Sequence, residues 1–256
     1  MDGTMKTLAL LDADILVYQC AAANAKYGGD LDDLHWVLQQ TAEDWTEGAR
    51  ADEYTLYATN GTTFRHQFYP EYKSNRKGKP KPRGFSEARE WVLSHDKCVW
   101  ESGYEADDLM AMAASCPSSE GSKVIVSTDK DFNQVPGCKR YDPTKQEFFT
   151  STDSSADLFR LQQWVCGDSV DGYSGIHRYG PKTFAKDIKD EVFESWNDME
   201  EWGYSLYAGK DVDKDYATQM LVCSTILNHN TPKQHLNMVS QILKEMDETT
   251  KCSKSL

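Results

Sequence analysis

Apolar and polar residues follow two different periods in the first part of the chain. Short apolar runs bounded by turn residues predict strands at 7–11, 54–58, 98–100 and 124–127. Apolar residues spaced three or four apart predict helices at 15–23, 31–47, 85–93 and 107–115. Strands that alternate with helices indicate a mostly parallel sheet covered on both faces.

The pattern changes after about residue 157, where the strand signals stop. Helical spacing continues at 158–165, 182–188, 216–227 and 236–246. We therefore expect an α/β fold at 1–160, followed by a helical C-terminal part at 161–256.

Composition and charge narrow the class of protein. The 256 residues are 39% hydrophobic and 27% charged, which is typical of a globular protein and excludes collagen-like or mucin-like chains. A net charge of −13 disfavours attraction of the whole surface to nucleic acid or anionic lipid, although a local basic patch can overrule that total. The seven cysteines are scattered without a Cys-x-x-Cys pair, so we expect no zinc site, no disulfide framework and a cytoplasmic location.

Acidic residues follow three of the predicted strands. Asp12 ends the first strand, the segment 105–108 opens the helix after the third, and Asp129 and Asp131 follow the fourth. Ligands of an open parallel sheet bind beyond the carboxyl ends of its strands, so we expect these carboxylates to meet. Asp129 and Asp131 face the same side if their segment is extended.

The spacing within the acidic segment at 105–108 adds a condition. Glu105 and Asp108 share a helix face, whereas Asp107 joins them only if Glu105 lies at the helix entry rather than inside it. Asp168 and Asp171 are also three apart and share a face if their turn is helical.

Up to eight acids would then lie in one candidate site. Hard divalent cations are the usual counter-charge for so many carboxylates, and two such ions hydrolyse phosphodiesters in other proteins. The plainer alternative is that the acids are helix caps and solvated loop charges.

A basic segment stands out against the acidic background. Six cations fall within eleven residues without an acid among them, and we expect them to contact phosphates: Lys73, Arg76, Lys77, Lys79, Lys81 and Arg83. Its Pro and Gly residues predict a mobile loop at 72–86, and Tyr72 offers a ring on which a base could stack. A solvated basic loop is the alternative.

A glycine-containing turn follows Asp171. Gly175 and Gly180 bracket it, and a helix can begin at Pro181. Such a turn presents backbone N–H groups to a phosphate, with Lys182 and Lys186 nearby, and we expect it to grip nucleic-acid backbone without reading sequence. His177 is expected to be a surface residue of the turn.

Taken in order, these motifs resemble those of the 5′-nuclease family. The matching stretches are Asp12 after its strand, Tyr-Lys-Ser-Asn-Arg at 72–76, Glu-Ala-Asp-Asp at 105–108, Ser-Thr-Asp-Lys-Asp at 127–131 and Gly-Asp-Ser-Val-Asp-Gly at 167–172 with the turn at 175–183. The family comprises flap endonucleases, 5′-nuclease domains of bacterial polymerases and phage 5′→3′ exonucleases, and the chain is most similar to the phage branch.

The resemblance implies a fold and a set of ligands. The fold is a PIN-like, mostly parallel α/β sheet with flanking helices and a helical C-terminal part, which contains a helix-hairpin-helix element at about 167–188. By motif position, one divalent ion would be bound by Asp12, Glu105, Asp107 and Asp129, with Asp108 beside them, and a second ion by Asp131, Asp168 and Asp171. Lys73 and Arg76 match the basic pair that contacts the scissile phosphate.

The chain departs from the family at two places. Asn60 stands at or near the position where the family has an acid after its second strand, which leaves one metal ligand neutral. The segment 76–105 is short for a full helical arch, and its Lys-Pro repeats disfavour a helix there. Attack at duplex ends or gaps is therefore expected as readily as threading of a flap.

The expected function is a 5′→3′ exonuclease or structure-specific 5′-nuclease that uses two Mg²⁺ or Mn²⁺ ions and leaves 5′-phosphates. Its expected partners are duplex DNA with a free 5′ end, gap or flap, RNA–DNA hybrids as a second substrate, K⁺ at the hairpin and replication proteins. Two alternatives stay open. Leu-Asp-Ala-Asp at 11–14 also resembles the nucleophile motif of haloacid-dehalogenase phosphatases, and Asn60 is compatible with a DNA-binding module that has lost its metals.

Overall fold

The computed structural model of the chain describes residues 5–117 and 121–253, the last six of them by backbone alone. Within that part, six strands form one sheet: β1 Thr7–Asp12, β2 Glu53–Tyr57, β3 Cys98–Val99, β4 Ser122–Val126, β5 Lys139–Asp142 and β6 Glu147–Phe149. The order across the sheet is β3-β2-β1-β4-β5-β6. Neighbouring strands are parallel except for β5 and β6, which form an antiparallel pair at one edge.

The helices of the described residues are α1 Ala13–Tyr27, α2 Leu31–Gly48, α3 Phe64–Phe68, α4 Phe85–Ser94, α5 Ala106–Ser115, α6 Asp153–Cys166, α7 Pro181–Asp187, α8 Trp196–Ala208, α9 Lys214–Ser224 and α10 Lys233–Ser253. Short 3-10 helices lie at Ser74–Arg76 and Lys130–Gln134. The predicted α/β fold with a mostly parallel sheet and a helical C-terminal part is confirmed.

Two compact units divide the described chain, and neither is continuous in sequence. The first unit comprises Met1–Thr62, Pro80–Ser151 and Ile226–Thr231, and the second comprises Thr63–Lys79, Thr152–Thr225 and Pro232–Leu256. A single boundary near residue 160 does not describe this division, because residues 63–79 belong to the second unit and residues 226–231 to the first.

The sheet of the first unit has a hydrophobic core on each face, because side chains of a strand point alternately up and down. Ala9 and Leu11 of β1 pack with α1, α2 and α4 on one face, whereas Leu10 packs with α5 on the other. All three side chains are fully buried. Packing on both faces therefore fixes the position of the central strand, which carries Asp12 at its carboxyl end.

The second unit is built around Trp164 of α6, which is fully buried. Its indole Nε1 donates to the Ala217 carbonyl at 2.7 Å, and Tyr207 donates to the Trp164 carbonyl at 2.7 Å. These bonds join α6, α8 and α9. No helix of the described residues is long and apolar enough to cross a membrane.

Several elements differ from the sequence-based expectation. The strands β5 and β6 and the helix α8 were not predicted, and α6 begins at Asp153 rather than 158 because Thr152 caps it. α9 ends at Ser224 rather than at 227. Its predicted last residues instead form part of an extended segment in which the Ile226 and Leu227 amides donate to side chains of the first unit.

Candidate functional site

Asp12 lies at the centre of the carboxyl edge of the sheet in the first unit. As the last residue of β1 and the N-cap of α1, it accepts a hydrogen bond from the Ile15 amide at 3.2 Å. The Ser127 hydroxyl, which follows β4, donates to its other oxygen at 2.8 Å. The Asp129 amide donates in turn to the Ser127 hydroxyl at 3.0 Å. The carboxyl ends of the neighbouring parallel strands β1 and β4 are thus connected through Ser127.

The electrostatic environment of Asp12 disfavours its charge. The side chain is only 6% exposed. Burial, with the neighbouring carboxylates Asp14 and Asp129, raises the pKa of Asp12 to about 7, although hydrogen bonds from Ser127 and Ile15 act in the opposite direction. Desolvation and neighbouring like charge therefore both oppose the ionisation of Asp12 at this edge.

Asp129 and Asp131 enter this edge through a turn and not through an extended segment. Asp129 is the N-cap of the 3-10 helix at Lys130–Gln134, and its side chain accepts from the Asp131 amide at 2.9 Å. The expectation that the two share one side of an extended strand is corrected, because the capping bond bends the chain directly after Asp129. Behind the turn, the buried Arg140 of β5 donates to the Asp129 carbonyl at 2.9 Å.

The N-terminus of α5 carries the next acids. Glu105 is its N-cap, which is the helix-entry position that the sequence analysis required for Asp107 to join the site. Asp107 is half-buried in the first turn, where its carboxylate accepts from the Asp108 amide at 3.0 Å.

Asp108 departs from its predicted role beside the metal. It is fully buried, and its two oxygens accept backbone amides from Glu105 at 3.3 Å and from Leu227 at 3.0 Å. We therefore assign Asp108 to the capping of α5 and the anchoring of the segment at Leu227.

Four residues at this edge escaped the sequence analysis as site residues or were noted only in passing: Asp14, Thr59, Asn60 and Arg89. Asp14 accepts from the Thr59 amide at 3.2 Å. Arg89 of α4 donates to the Thr59 carbonyl at 2.6 Å and to the Asn60 side-chain oxygen at 3.3 Å, and lies 3.8 Å from Asp14. Two of these residues carried a sequence signal: Asp14, two residues after Asp12 at the start of a helix, and Asn60, at or near the position where the family has an acid.

The donor set of this edge suits a hard divalent cation, because it consists of carboxylate oxygens around a buried acid whose pKa is raised. Among the side chains of residues 5–117 and 121–247, no group of three or more His, Cys, Asp or Glu is already arranged to hold a metal ion. Mg²⁺ keeps several waters and takes only one or two carboxylates directly, so an ion could be accommodated here by rotation of single carboxylates.

In the second unit, Asp171 forms ion pairs with both residues of the predicted basic pair, Lys73 and Arg76. Its oxygens pair with Arg76 Nη2 at 2.5 Å and with Lys73 Nζ at 3.7 Å. The turn at 168–172 is not helical, so the shared helix face predicted for Asp168 and Asp171 is absent. Asp168 is buried instead, and it accepts from the Val170 amide at 2.7 Å.

Tyr72 does not offer the expected stacking surface. The residue is only 2% exposed, because its ring packs in the core of the second unit and its hydroxyl donates to Asp171 at 3.0 Å. This bond helps to hold Asp171 beside the basic pair. The other predicted DNA-contacting cations of the loop, Lys77, Lys79, Lys81 and Arg83, are exposed. Lys81 lies over the Phe85 ring at 4.8 Å.

The glycine-containing turn precedes α7 as predicted. Gly175 has φ +57°, and a Cβ there would lie 2.4 Å from the Gly167 nitrogen, so only glycine is accommodated. Gly180 is the N-cap of α7, and Lys182 and Lys186 of that helix are exposed. His177 is exposed on the turn, as expected.

Comparison with known proteins adds a second line of evidence. The chain is 31% identical over 194 residues to the exonuclease of Escherichia phage T7, covering 68% of this chain and 64% of the relative. It is 33% identical over 135 residues to the flap endonuclease Xni of Shewanella sp. strain MR-4, covering 48% of this chain and 52% of that protein. The chain thus spans less than two thirds of the length of these relatives.

Solved structures share the fold at lower identity. The bacteriophage T5 D15 flap endonuclease, in a pseudo-enzyme-product complex with DNA and metal ions, has a TM-score of 0.64 at 16% identity and covers 95% of this chain and 98% of its own. Residues 7–156 match the family model described as the 5'-3' exonuclease N-terminal resolvase-like domain. Since that match extends over more than half of the sequence, this chain belongs to the 5′-3′ exonuclease family.

Proposed function

We propose that the protein is a metal-dependent 5′→3′ nuclease that hydrolyses DNA phosphodiesters to 5′-phosphate products. The proposal is supported by the acids at the carboxyl edge of the first unit: the buried Asp12 ends β1, Glu105 and Asp107 open α5, and Asp129 follows β4. The names of the relatives, an exonuclease and a flap endonuclease, support this chemistry for members of the family.

These four side chains would hold a divalent ion. When bound, such an ion lowers the pKa of a water molecule and offsets charge on the phosphate. We propose Mg²⁺ as the ion and Mn²⁺ as its substitute, because both prefer oxygen ligands. The assignment of a second ion to Asp131, Asp168 and Asp171, and of K⁺ to the hairpin, stays a prediction from the resemblance.

Two cationic side chains of the protein are proposed to contact the phosphate. Lys73 and Arg76 are the proposed phosphate-contacting pair, and Asp171 with Tyr72 holds them in the DNA-free protein. A phosphate that competes with Asp171 for Arg76 would exchange one anionic partner for another, so the guanidinium need not be desolvated without a partner. The positive charges then stabilise the charge that develops on the phosphate during hydrolysis.

Binding of the DNA backbone is proposed for the exposed lysines and arginine of the loop and for Lys182 and Lys186 of α7. The proposed substrate is duplex DNA with a free 5′ end, a gap or a flap, and RNA–DNA hybrids are a second substrate to test. Replication proteins as partners and a cytoplasmic location remain predictions.

The test is a time course on 5′-gapped, flapped and blunt duplexes labelled at either end, with Mg²⁺ or with EDTA. We expect short 5′-phosphorylated products only with Mg²⁺, and none from the variant Asp129→Asn/Asp131→Asn. Asp213→Asn, at an exposed helix N-cap where Asn caps equally well, is the matched control and should cleave normally. Intact DNA in every lane, from folded protein, would reject the proposal.

Three further readouts separate the nuclease from the alternatives. A phosphatase would release phosphate from a small phosphomonoester and leave DNA intact, with Asp12→Asn abolishing the release. A binding module without catalysis would shift DNA on a gel in Mg²⁺ without shortening it. A nuclease with a catalytic basic pair instead loses cleavage rate in Lys73→Ala far more than binding, whereas Lys210→Ala, at an exposed turn, changes neither.

A further inference from the structure

Arg89 makes an unusual set of contacts for a cation beside a cluster of acids. One guanidinium nitrogen donates to the Thr59 carbonyl at 2.6 Å and to Asn60 Oδ1 at 3.3 Å, and the other lies 3.8 Å from Asp14. Arg89 is therefore attached both to the turn after β2 and to the first turn of α1.

Thr59 connects Asp14 and Arg89 to the N-terminus of α5 through hydrogen bonds. Its amide donates to Asp14 at 3.2 Å, its carbonyl accepts from Arg89, and its hydroxyl accepts from the Ala106 amide at 3.0 Å. Ala106 is the first residue of α5, directly between Glu105 and Asp107. A displacement of Thr59 would thus move the two acids at the entry of that helix.

The other end of the Arg89 side chain is firmly held. On either side of Arg89 in α4, Ala88 and Val92 are 0% and 1% exposed in the core of the first unit. The Arg89 side chain as a whole keeps partial contact with solvent, since 31% of it is exposed. Its position is therefore set by a packed helix, while its charge is not desolvated at high cost.

We propose that Arg89 is a positioning residue of the carboxyl-edge site, which fixes the turn at 59–60 and keeps the Asn60 side chain engaged with protein instead of with a metal ion. The inference rests on the metal site of the proposed function. Arg89 also supplies a positive charge next to Asp14, so the ion-binding strength of this corner is set jointly by positions 60 and 89.

A double-mutant cycle on these two positions tests the proposal, because coupled residues give non-additive effects. In Asn60→Asp, the new carboxylate would pair with Arg89 and change the Mn²⁺ affinity by less than about twofold. In Asn60→Asp/Arg89→Met, the carboxylate has lost that partner, and we expect Mn²⁺ to bind at least about fivefold more tightly than to Arg89→Met alone.

The measurement uses Mn²⁺ alone as the probe, with the full chain, no DNA, and the free-ion paramagnetic resonance signal as the readout. Arg50→Met removes an equal charge from an exposed position after α2 and should leave the Mn²⁺ affinity unchanged. Thermal unfolding in EDTA verifies that each variant is folded. Arg89→Lys, which keeps the charge without the forked geometry, should show an intermediate coupling to position 60.

The outcomes separate this inference from the proposed function. Wild-type protein that binds no Mn²⁺ would overturn the metal site and the inference with it. Wild-type protein that binds Mn²⁺, with effects of the two substitutions that multiply within about twofold, would overturn the role of Arg89 alone. A coupling of about fivefold or more, reduced in Arg89→Lys, would support it.

Discussion

Replacing Asp12 by Asn should stabilise the metal-free protein at neutral and alkaline pH. Asn is as good an N-cap as Asp, so its side-chain oxygen can still accept from the Ile15 amide. Its amide group can donate to the Ser127 hydroxyl, which at present donates to Asp12. The substitution therefore removes a buried charge and retains the hydrogen-bonded geometry.

The size of the effect follows from the raised pKa of Asp12. A carboxyl whose pKa is higher in the folded than in the unfolded state destabilises the fold as pH rises from the unfolded value to the folded one. For Asp12 that window runs from 3.8 to about 7. At about 1.4 kcal/mol per pH unit, the full interval corresponds to about 4 kcal/mol, and local relaxation reduces the expected gain of Asp12→Asn to about 2 to 4 kcal/mol.

Urea unfolding in EDTA at pH 4.5 and pH 8 measures this difference. Asp12→Asn should exceed wild type by that amount at pH 8 and by about 1 kcal/mol or less at pH 4.5. Adding Mn²⁺ at 100 times its dissociation constant should stabilise wild type by about 2.7 kcal/mol and the variant by less. A variant no more stable than wild type at pH 8 in EDTA would refute the electrostatic reasoning.

Three further predictions concern other parts of the molecule. Gly203→Ala should cost at least about 2 kcal/mol in urea unfolding, because its Cβ would lie 2.2 Å from the buried Trp164 ring. Burial and nearby arginines lower the pKa of His235 to about 3. The free energy of unfolding should therefore fall by about 2 kcal/mol between pH 6.5 and pH 5, and acid unfolding of His235→Leu should not show this loss. Neutralising Lys79 and Lys81 should make the slope of the logarithm of the DNA-binding constant against the logarithm of the salt concentration shallower by about 2. The cleavage rate at saturating DNA should change little.

The parts of the fold that sequence could predict are those with strong local signals. The helix at 31–47 was predicted from its apolar spacing and observed at Leu31–Gly48, with a capping box at Asp30. β5 escaped because its sequence, Lys-Arg-Tyr-Asp, contains no apolar run, and its Arg140 is buried by a contact with Asp129 that only the folded chain creates. The helix α8 was not predicted because its acidic residues interrupt the apolar pattern around Met199 and Tyr207.

The candidate site divides in the same manner. Strand ends and parallel topology were enough to bring Asp12, Asp129 and the entry of α5 to one edge. They could not assign Asp108, whose role depends on a contact with Leu227, more than a hundred residues along the chain. Arg89 was equally invisible, because nothing local distinguishes an arginine on a helix that reaches across to a distant turn.

The contact between Asp108 and Leu227 also bears on how the protein is made. Because the segment Ile226–Thr231 belongs to the first unit, that unit is complete only after residue 231 has been synthesised. Until then, Asp108 cannot accept its hydrogen bond from the Leu227 amide, and Gln134 cannot accept its hydrogen bond from the Ile226 amide. The helix that carries Glu105 and Asp107 thus acquires its final support only after a segment 119 residues beyond Asp108 has been synthesised and has left the ribosome.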